Sequence, residues 1–385
     1  MSFKLRDYQS QASDRAVEFF NSKTKANAIM VLPTGSGKSL IIADIANRLK
    51  GYTLVFQPSK EILEQNFKKL CSYGIFDCSI YSASFNSKEI SRITFATIGS
   101  VVNKPELFSH FQNIIIDECH FVNAKQGMYK SFLKLLSCKI LGLTATPYRL
   151  ASNSFGSTLR FITRTNPRIF SNVIYQVQIK TLLNQGYLTS LEYYQLDVMD
   201  ERNLKLNSTG ADFTDKSVIS EYERIDFYSF LVSTLQRLLN PHSGRKRKGV
   251  LVFTRFLKEA ERLTYSIPNC AIVSGETPKK LRKKILEEFK EGKIKVVANV
   301  GVLSTGFDYP ELDTIVLARP TMSLALYYQM VGRAIRPYKN KDGWIVDLCG
   351  TFKRFGKVED LTLVEPSKGL WQVESKGKQL TNVYF

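Results

Sequence analysis

Leu32-Pro33-Thr34-Gly35-Ser36-Gly37-Lys38-Ser39 brings two glycines, a lysine and hydroxyls into one short stretch. Glycine lets backbone N–H groups turn inward on an anion, and a lysine beside them supplies the matching charge. That is phosphate-binding chemistry: Lys38 is placed for the β- and γ-phosphates of a nucleotide and Ser39 for Mg²⁺. Leu32 stands where the general pattern has its first glycine, and a Gly/Ser/Pro turn also joins strands to helices in the ordinary way. A second group is Asp117-Glu118-Cys119-His120, directly after three isoleucines. An Asp at a strand end can accept the water shell of Mg²⁺, and the Glu beside it can orient or deprotonate an attacking water. Isolated acidic pairs also cap helices. The third group is Gln329-Met330-Val331-Gly332-Arg333-Ala334-Ile335-Arg336. If this run is helical, Arg333 and Arg336 share a side and both aim at one phosphate, where such arginines stabilise phosphoryl-transfer charge.

These residues need a scaffold that presents loops along one edge. Ala28–Leu32 reads as a buried strand and Ser39 opens a helical pattern with Leu40, Ile41, Ile45 and Leu49 on one side. The alternation continues through strands at 52–56, 93–97, 114–116 and 140–143, and resumes at 249–254, 271–273, 296–298, 314–317 and 343–346. Repeated strand and helix predict an α/β fold of two doubly wound parallel sheets, with functional residues at the carboxyl ends of the strands. We divide the chain at 1–170 and 171–350, with an exposed polar excursion at about 198–222, and read 351–385 as a short tail. The second unit has no phosphate loop of its own. Its basic helical face at Lys279, Lys280, Arg282, Lys283 and Lys284, and the run Arg245-Lys246-Arg247-Lys248, fit either a phosphate contact or a solvated surface.

Composition narrows the partners. The 54 Lys+Arg against 35 Asp+Glu leave a net charge of +19, which favours polyanions and fits a basic solvated surface equally well. Six scattered cysteines without a C-x-x-C pair, and three histidines, imply neither zinc nor a disulfide framework. No signal-peptide run opens the chain and no stretch is apolar enough to span a bilayer, so we expect a cytoplasmic protein with no membrane partner, of a bacterium or a phage-infected host.

Taken in order, L-R-D-Y-Q, P-T-G-S-G-K-S, F-Q-P-S-K-E, A-T-I-G-S, D-E-C-H, L-T-A-T-P, L-V-F-T-R-F, S-T-G-F-D and Q-M-V-G-R-A-I-R resemble the motifs of superfamily 2 helicases. They span residues 5–336. The D-E-C-H box and the G-F-D-Y-P run are similar to those of RadD and of the branch-migration DNA helicases of tailed phages. The resemblance implies two RecA-like domains with ATP and Mg²⁺ between them and nucleic acid across the top. It makes Arg6 and Gln9 adenine readers, and Thr34, Gly35, Ser36, Gly37, Lys38 and Ser39 phosphate and Mg²⁺ contacts. Asp117 would hold Mg²⁺ and Glu118 act as base. His120 and Gln329 would couple the domains, Asp308 would touch the ribose, and Arg333 and Arg336 would be finger residues. Pro58, Ser59, Thr97, Gly99, Thr254, Arg255, Ser274 and Thr305 match positions that touch a nucleic-acid backbone.

The chain departs from RadD in carrying no cysteine after Cys349, and the stretch from Thr351 onward is short for a junction-binding domain. We therefore expect an ATP-dependent DNA helicase or translocase acting on single-stranded, forked or branched DNA in recombination, repair or fork processing. An RNA helicase, a double-stranded-DNA translocase of the restriction-motor type and a non-enzymatic nucleic-acid scaffold are the competing readings.

Overall fold

The apolar runs become buried strands, because a parallel sheet covered on both faces has no wet side on which polar residues could alternate. The computed structural model describes residues 4–153, 156–242, 244, 246–303 and 309–383. Its first sheet takes β1 (Asn27–Val31), β2 (Thr53–Phe56), β3 (Cys78–Ser82), β4 (Ser87–Lys88), β5 (Ile93–Ala96), β6 (Asn113–Asp117) and β7 (Lys139–Thr144). A hairpin of β8 (Tyr148–Asn153) and β9 (Gly156–Phe161) precedes β10 (Phe170–Gln176), which joins that sheet. The strand order is β10-β1-β7-β6-β2-β5-β3-β4, parallel except for the β3–β4 pair.

The second sheet takes β11 (Leu191–Gln195), β12 (Val250–Thr254), β13 (Cys270–Ser274), β14 (Val296–Val300), β15 (Thr314–Ala318) and β16 (Gly343–Asp347). Its order, β11-β16-β15-β12-β14-β13, is parallel throughout. Helices fill the connections, as crossover geometry requires. This is the two-unit RecA-like α/β architecture expected from the strand pattern.

Three stretches differ from the sequence reading. Residues 198–222 keep an exposed outer side, as at 201–203 and 208–209, but are anchored to the second unit: Leu204, Phe213, Val218 and Tyr222 are buried, and the Tyr222 hydroxyl donates to Ala318 O at 2.8 Å. Their polar neighbours serve local structure, with Thr214 capping the helix Asp215–Arg224 and Glu221 paired with Arg224 at 2.7 Å. Polarity concealed an element there. Arg247 of the basic run faces inward, 4% exposed, stacked on Trp344 and bonded to Asp342 and to Thr314 Oγ1, so it is neither a phosphate contact nor solvated. Arg245 lies outside the described residues.

The stretch after residue 350 holds a helix (Thr351–Phe355) and a sheet of β17 (Leu361–Val364), β18 (Gln372–Ser375) and β19 (Lys378–Gln379). Alternating Leu361, Leu363 and Val373 turn one face inward. Gln178 Nε2 donates to Leu363 O at 2.9 Å and Tyr193 OH to Glu359 at 2.7 Å, so this small sheet ties onto residues next to both larger ones.

Candidate active site and nucleic-acid face

Sheet order explains how distant residues meet. β7 lies between β1 and β6, so the loops leaving these three strands open side by side at the carboxyl edge. Leu32 N donates to Thr144 O at 2.9 Å, pinning the loop after β1 to the end of β7. Gly37 has φ +78°, a conformation that favours glycine, and a Cβ there would displace the Gln9 side-chain amide, 2.5 Å away. The helix Lys38–Arg48 starts at that point, with Ile41, Ile42 and Ile45 buried beneath it. The Ser36 hydroxyl is fully buried and has no hydrogen-bond partner, which leaves a polar group awaiting an acceptor or donor in the loop.

β6 carries Ile114, Ile115 and Ile116, all buried, into Asp117. Each such isoleucine contributes roughly 1.5–3 kcal/mol by leaving water, which holds the acidic pair in a low-dielectric setting. Glu118 adopts φ +49°, a left-handed conformation costing a β-carbon-bearing residue about 1–3 kcal/mol. The turn brings its carboxylate to 3.4 Å from Lys38 Nζ, while its own N–H donates to Asp117 Oδ1 at 3.0 Å. Burial and then the Glu118 charge push the Asp117 carboxyl up to about 7. For Glu118, burial opposes the charge, but Lys38, His120 and Arg333 outweigh it and keep the carboxylate below its usual range. One carboxylate is thus held ionised at the expense of the other, and a divalent cation held by Asp117 would favour the ionised form of that group too.

His120 Nδ1 lies 2.9 Å from Thr144 Oγ1 and 3.1 Å from Thr146 Oγ1, and its Nε2 lies 3.4 Å from Gln329 Nε2. Burial, only partly countered by Glu118, lowers its pKa, so the neutral ring prevails at neutral pH. Gln329 belongs to the helix Leu324–Val331, which follows β15 in the second unit and is capped by Ser323. That helix ends at Gly332, where a Cβ would press to 3.0 Å from Thr34 Cβ. Arg333 and Arg336 therefore lie in the turn beyond the helix, contrary to the helical expectation, because the chain turns where the second unit meets the phosphate loop. They still converge.

A cleft of about 370 Å³ is lined on one side by Thr34, Gly35, Gly37, Lys38, Ser39, Asp117 and Glu118, and on the other by Gln329, Arg333 and Arg336. Arg6 and Gln9 do not line it. Arg6 sits over the Tyr187 ring at 4.2 Å, and Gln9 is buried, donating to Ser36 O at 2.9 Å and accepting from Arg6 N at 3.0 Å. Two contributors escaped the sequence reading. Asn66 accepts from Ser39 Oγ at 2.6 Å, and Lys341 donates to Arg336 O at 2.8 Å. Asn66 carried a signal, a polar residue in the inward stripe Leu63, Asn66, Leu70; Lys341 carried none.

The nucleic-acid candidates divide. Pro58, Thr97 and Gly99 line a second cavity of about 440 Å³ that reaches Asp117, Glu118 and Phe121. Ser59 caps the helix Lys60–Ser72. In the second unit Thr254 and Ser274 are buried. Arg255 points inward, its side chain 9% exposed, bound to Asp215 at 2.8 Å and to Asp212 at 3.4 Å. Those carboxylates come from the segment whose burial the sequence did not reveal, so Arg255 is already neutralised. Thr305 and Asp308 lie outside the described residues.

Residues 2–149 match the model of the type III restriction enzyme res subunit, and residues 231–338 that of the helicase conserved C-terminal domain. The chain belongs to the superfamily 2 helicases. This helicase-family chain is 25% identical to a 51.5 kDa protein of a Lactococcus phage, over 82% of its own length and 64% of that protein. It is 25% identical to the putative ATP-dependent helicase IRC3 of Saccharomyces cerevisiae, over 90% of its own length and 51% of that protein. With the DNA 3'-5' translocase XPB2 of Sulfurisphaera tokodaii it shares 24% identity, over 90% of its own length and 81% of that protein. The chain thus spans only part of the first two relatives. Among solved structures, the ATP-dependent type ISP restriction-modification enzyme LlaBIII bound to DNA superposes with a TM-score of 0.66 at 17% identity, covering 91% of this chain and 28% of that one.

Proposed function

We propose that this chain couples ATP hydrolysis to movement along DNA. The observation that carries the reading is the cleft itself: Lys38 and Glu118 from the first unit face Arg333 and Arg336 from the second. A nucleotide triphosphate in it would meet the glycine loop and helix N-terminus, with Lys38 on the terminal phosphates. Ser39 and Asp117 are the residues that would hold Mg²⁺, which when bound screens phosphate charge and favours in-line attack. Glu118, kept ionised, is the group to take a proton from water, and the arginines stabilise charge on the transferring phosphate. Because half of the catalytic groups ride on each unit, hydrolysis and release loosen the pair, and a grip on a strand shifts with each cycle.

The names of several relatives favour DNA: XPB2 is named a DNA 3'-5' translocase, and two others are named DNA 3'-5' helicases, one of them as putative. The backbone face at Pro58, Thr97 and Gly99 would read no sequence. We assign single-stranded, forked or branched DNA as substrate, action in repair or recombination including branch migration, similarity to RadD, and a cytoplasmic setting, which accords with a structure in which no described helix is long and apolar enough to cross a membrane. The corresponding functional halves divide after β10 rather than at 170, since that strand pairs with β1 of the first sheet and the second sheet begins with β11.

Steady-state ATPase at fixed salt, without polymer and with single-stranded, forked or duplex DNA or RNA, tests this reading. Strong stimulation by single-stranded or forked DNA over RNA is expected. Stimulation by RNA alone would move the substrate class, preference for plain duplex would favour a restriction-motor type of translocation, and no hydrolysis under any condition would leave a scaffold.

A further inference from the structure

A cavity of about 330 Å³ lies outside the cleft, between the β8–β9 hairpin, the loop after the acidic box and the start of β10. Lys125, Arg149 and Arg160 line it, and no carboxylate does among the described residues. Arg149 and Arg160 stand directly opposite each other in the antiparallel ladder. Like charges in that position repel and destabilise a hairpin. Burial adds to the cost: it lowers the pKa of Arg149, whose guanidinium spends one N–H on Val122 O. By contrast, Arg247 is matched by Asp342 and Arg255 by Asp212 and Asp215. Here a partner of the opposite sign is missing from the lining. Asn123 completes the picture, since it lines both this cavity and the face that holds Pro58, Thr97 and Gly99.

We propose that this cavity is a phosphodiester-binding subsite, taking one backbone phosphate of a nucleic-acid strand that continues past Asn123 from the Pro58–Gly99 face. The phosphate lies between the Arg149 and Arg160 guanidinium groups, which relieves their repulsion, and Lys125 closes the rim. Ile162 and Ile169 form an apolar floor suited to the neighbouring sugar. The assignment rests on the nucleic-acid reading above and extends it to a hairpin that neither matched family model reaches in full, since the first ends at residue 149 and the second begins at residue 231.

The test compares the full chain with Arg160→Ala and Arg160→Lys. Binding of a fluorescent single-stranded DNA oligonucleotide is measured across a salt series, alongside polymer-free ATPase and thermal melting. Loss of one phosphate contact is expected to weaken binding about tenfold and to flatten the salt slope by about 0.7, while Arg160→Lys keeps the slope. Polymer-free ATPase stays at the parent value, and the melting temperature of Arg160→Ala does not fall, because removing one of two facing arginines relieves their repulsion. If the parent binds DNA and Arg160→Ala binds with the same affinity and slope, the subsite is overturned while the nucleic-acid reading stands. If the parent binds no nucleic acid, that reading falls and the subsite with it. If inorganic phosphate raises the melting temperature of the parent but not of Arg160→Ala, with DNA binding unchanged, the cavity is a free-anion site and the proposal is also overturned.

Discussion

The carboxyl edge of the first sheet carries a glycine loop and an acidic pair. The corresponding side of the second, equally parallel unit contributes Gln329, Arg333 and Arg336 from segments after β15. Two like folds thus supply unlike chemistry. The first unit binds and activates, with Lys38 holding Glu118 ionised at 3.4 Å; the second supplies cations that matter only when it is close. The difference teaches that the α/β scaffold fixes where functional residues gather, and loop identity fixes what they do. It also makes the site conditional, since neither half is complete alone.

The comparison breaks most visibly at the second unit's arginines. Arg333→Ala should lower the hydrolysis rate by about 10³-fold or more, with ATP affinity changed by only about threefold, because the charge it stabilises develops in the transition state. Single-turnover hydrolysis and nucleotide titration on one preparation check this. On the first unit, Glu118→Gln should cost about 10²–10⁴-fold in rate and retain ATP binding, measured the same way. A smaller effect is expected at the join. Gln329→Ala removes the side chain facing His120 and should cut polymer stimulation of ATPase by about tenfold while leaving polymer-free hydrolysis within about twofold.

The smallest effect concerns stability of the second unit. Burial pushes the Glu259 carboxyl up to about 7, above its unfolded value. The folded state then holds a proton that the unfolded state has lost, so stability falls as pH rises from about 4.5 to about 7 and stays lower above that. Glu259→Gln should therefore raise the melting temperature by about 2–4 °C at pH 8 and leave it unchanged at pH 4, checked by thermal melts at both. An equal gain at both pH values would assign the effect to packing instead.

The glycine loop and the acidic box were legible because they are contiguous: strand, turn and helix, or strand and carboxylates, appear within a few residues. Contiguity also misled. Arg333 and Arg336 lie three apart, which reads as one helical face, yet the helix stops at Gly332, where a side chain would meet Thr34 of the other unit, a neighbour far away in sequence. Arg255 matched a motif, but its neutralisation by Asp212 and Asp215 depends on a polar segment whose apolar residues, Leu204, Phe213, Val218 and Tyr222, are too sparse to show a period. Gln9, which the motif makes an adenine reader, is 2% exposed and tied to the phosphate loop through Ser36, a contact between residues too far apart in sequence to be read from spacing. The small sheet of β17, β18 and β19 escaped notice because its strands are short and gain stability only by packing on the larger units.

The most direct test of a composite site is a double-mutant cycle on the hydrolysis rate with Glu118→Gln and Arg333→Ala, from opposite sides of the cleft. If both act on one transferring phosphate, the double mutant loses little more than the worse single one, because each interaction has value only while the other is intact. If the two losses simply multiply, to within about 0.5 kcal/mol, the residues act independently and the two-sided active site is contradicted.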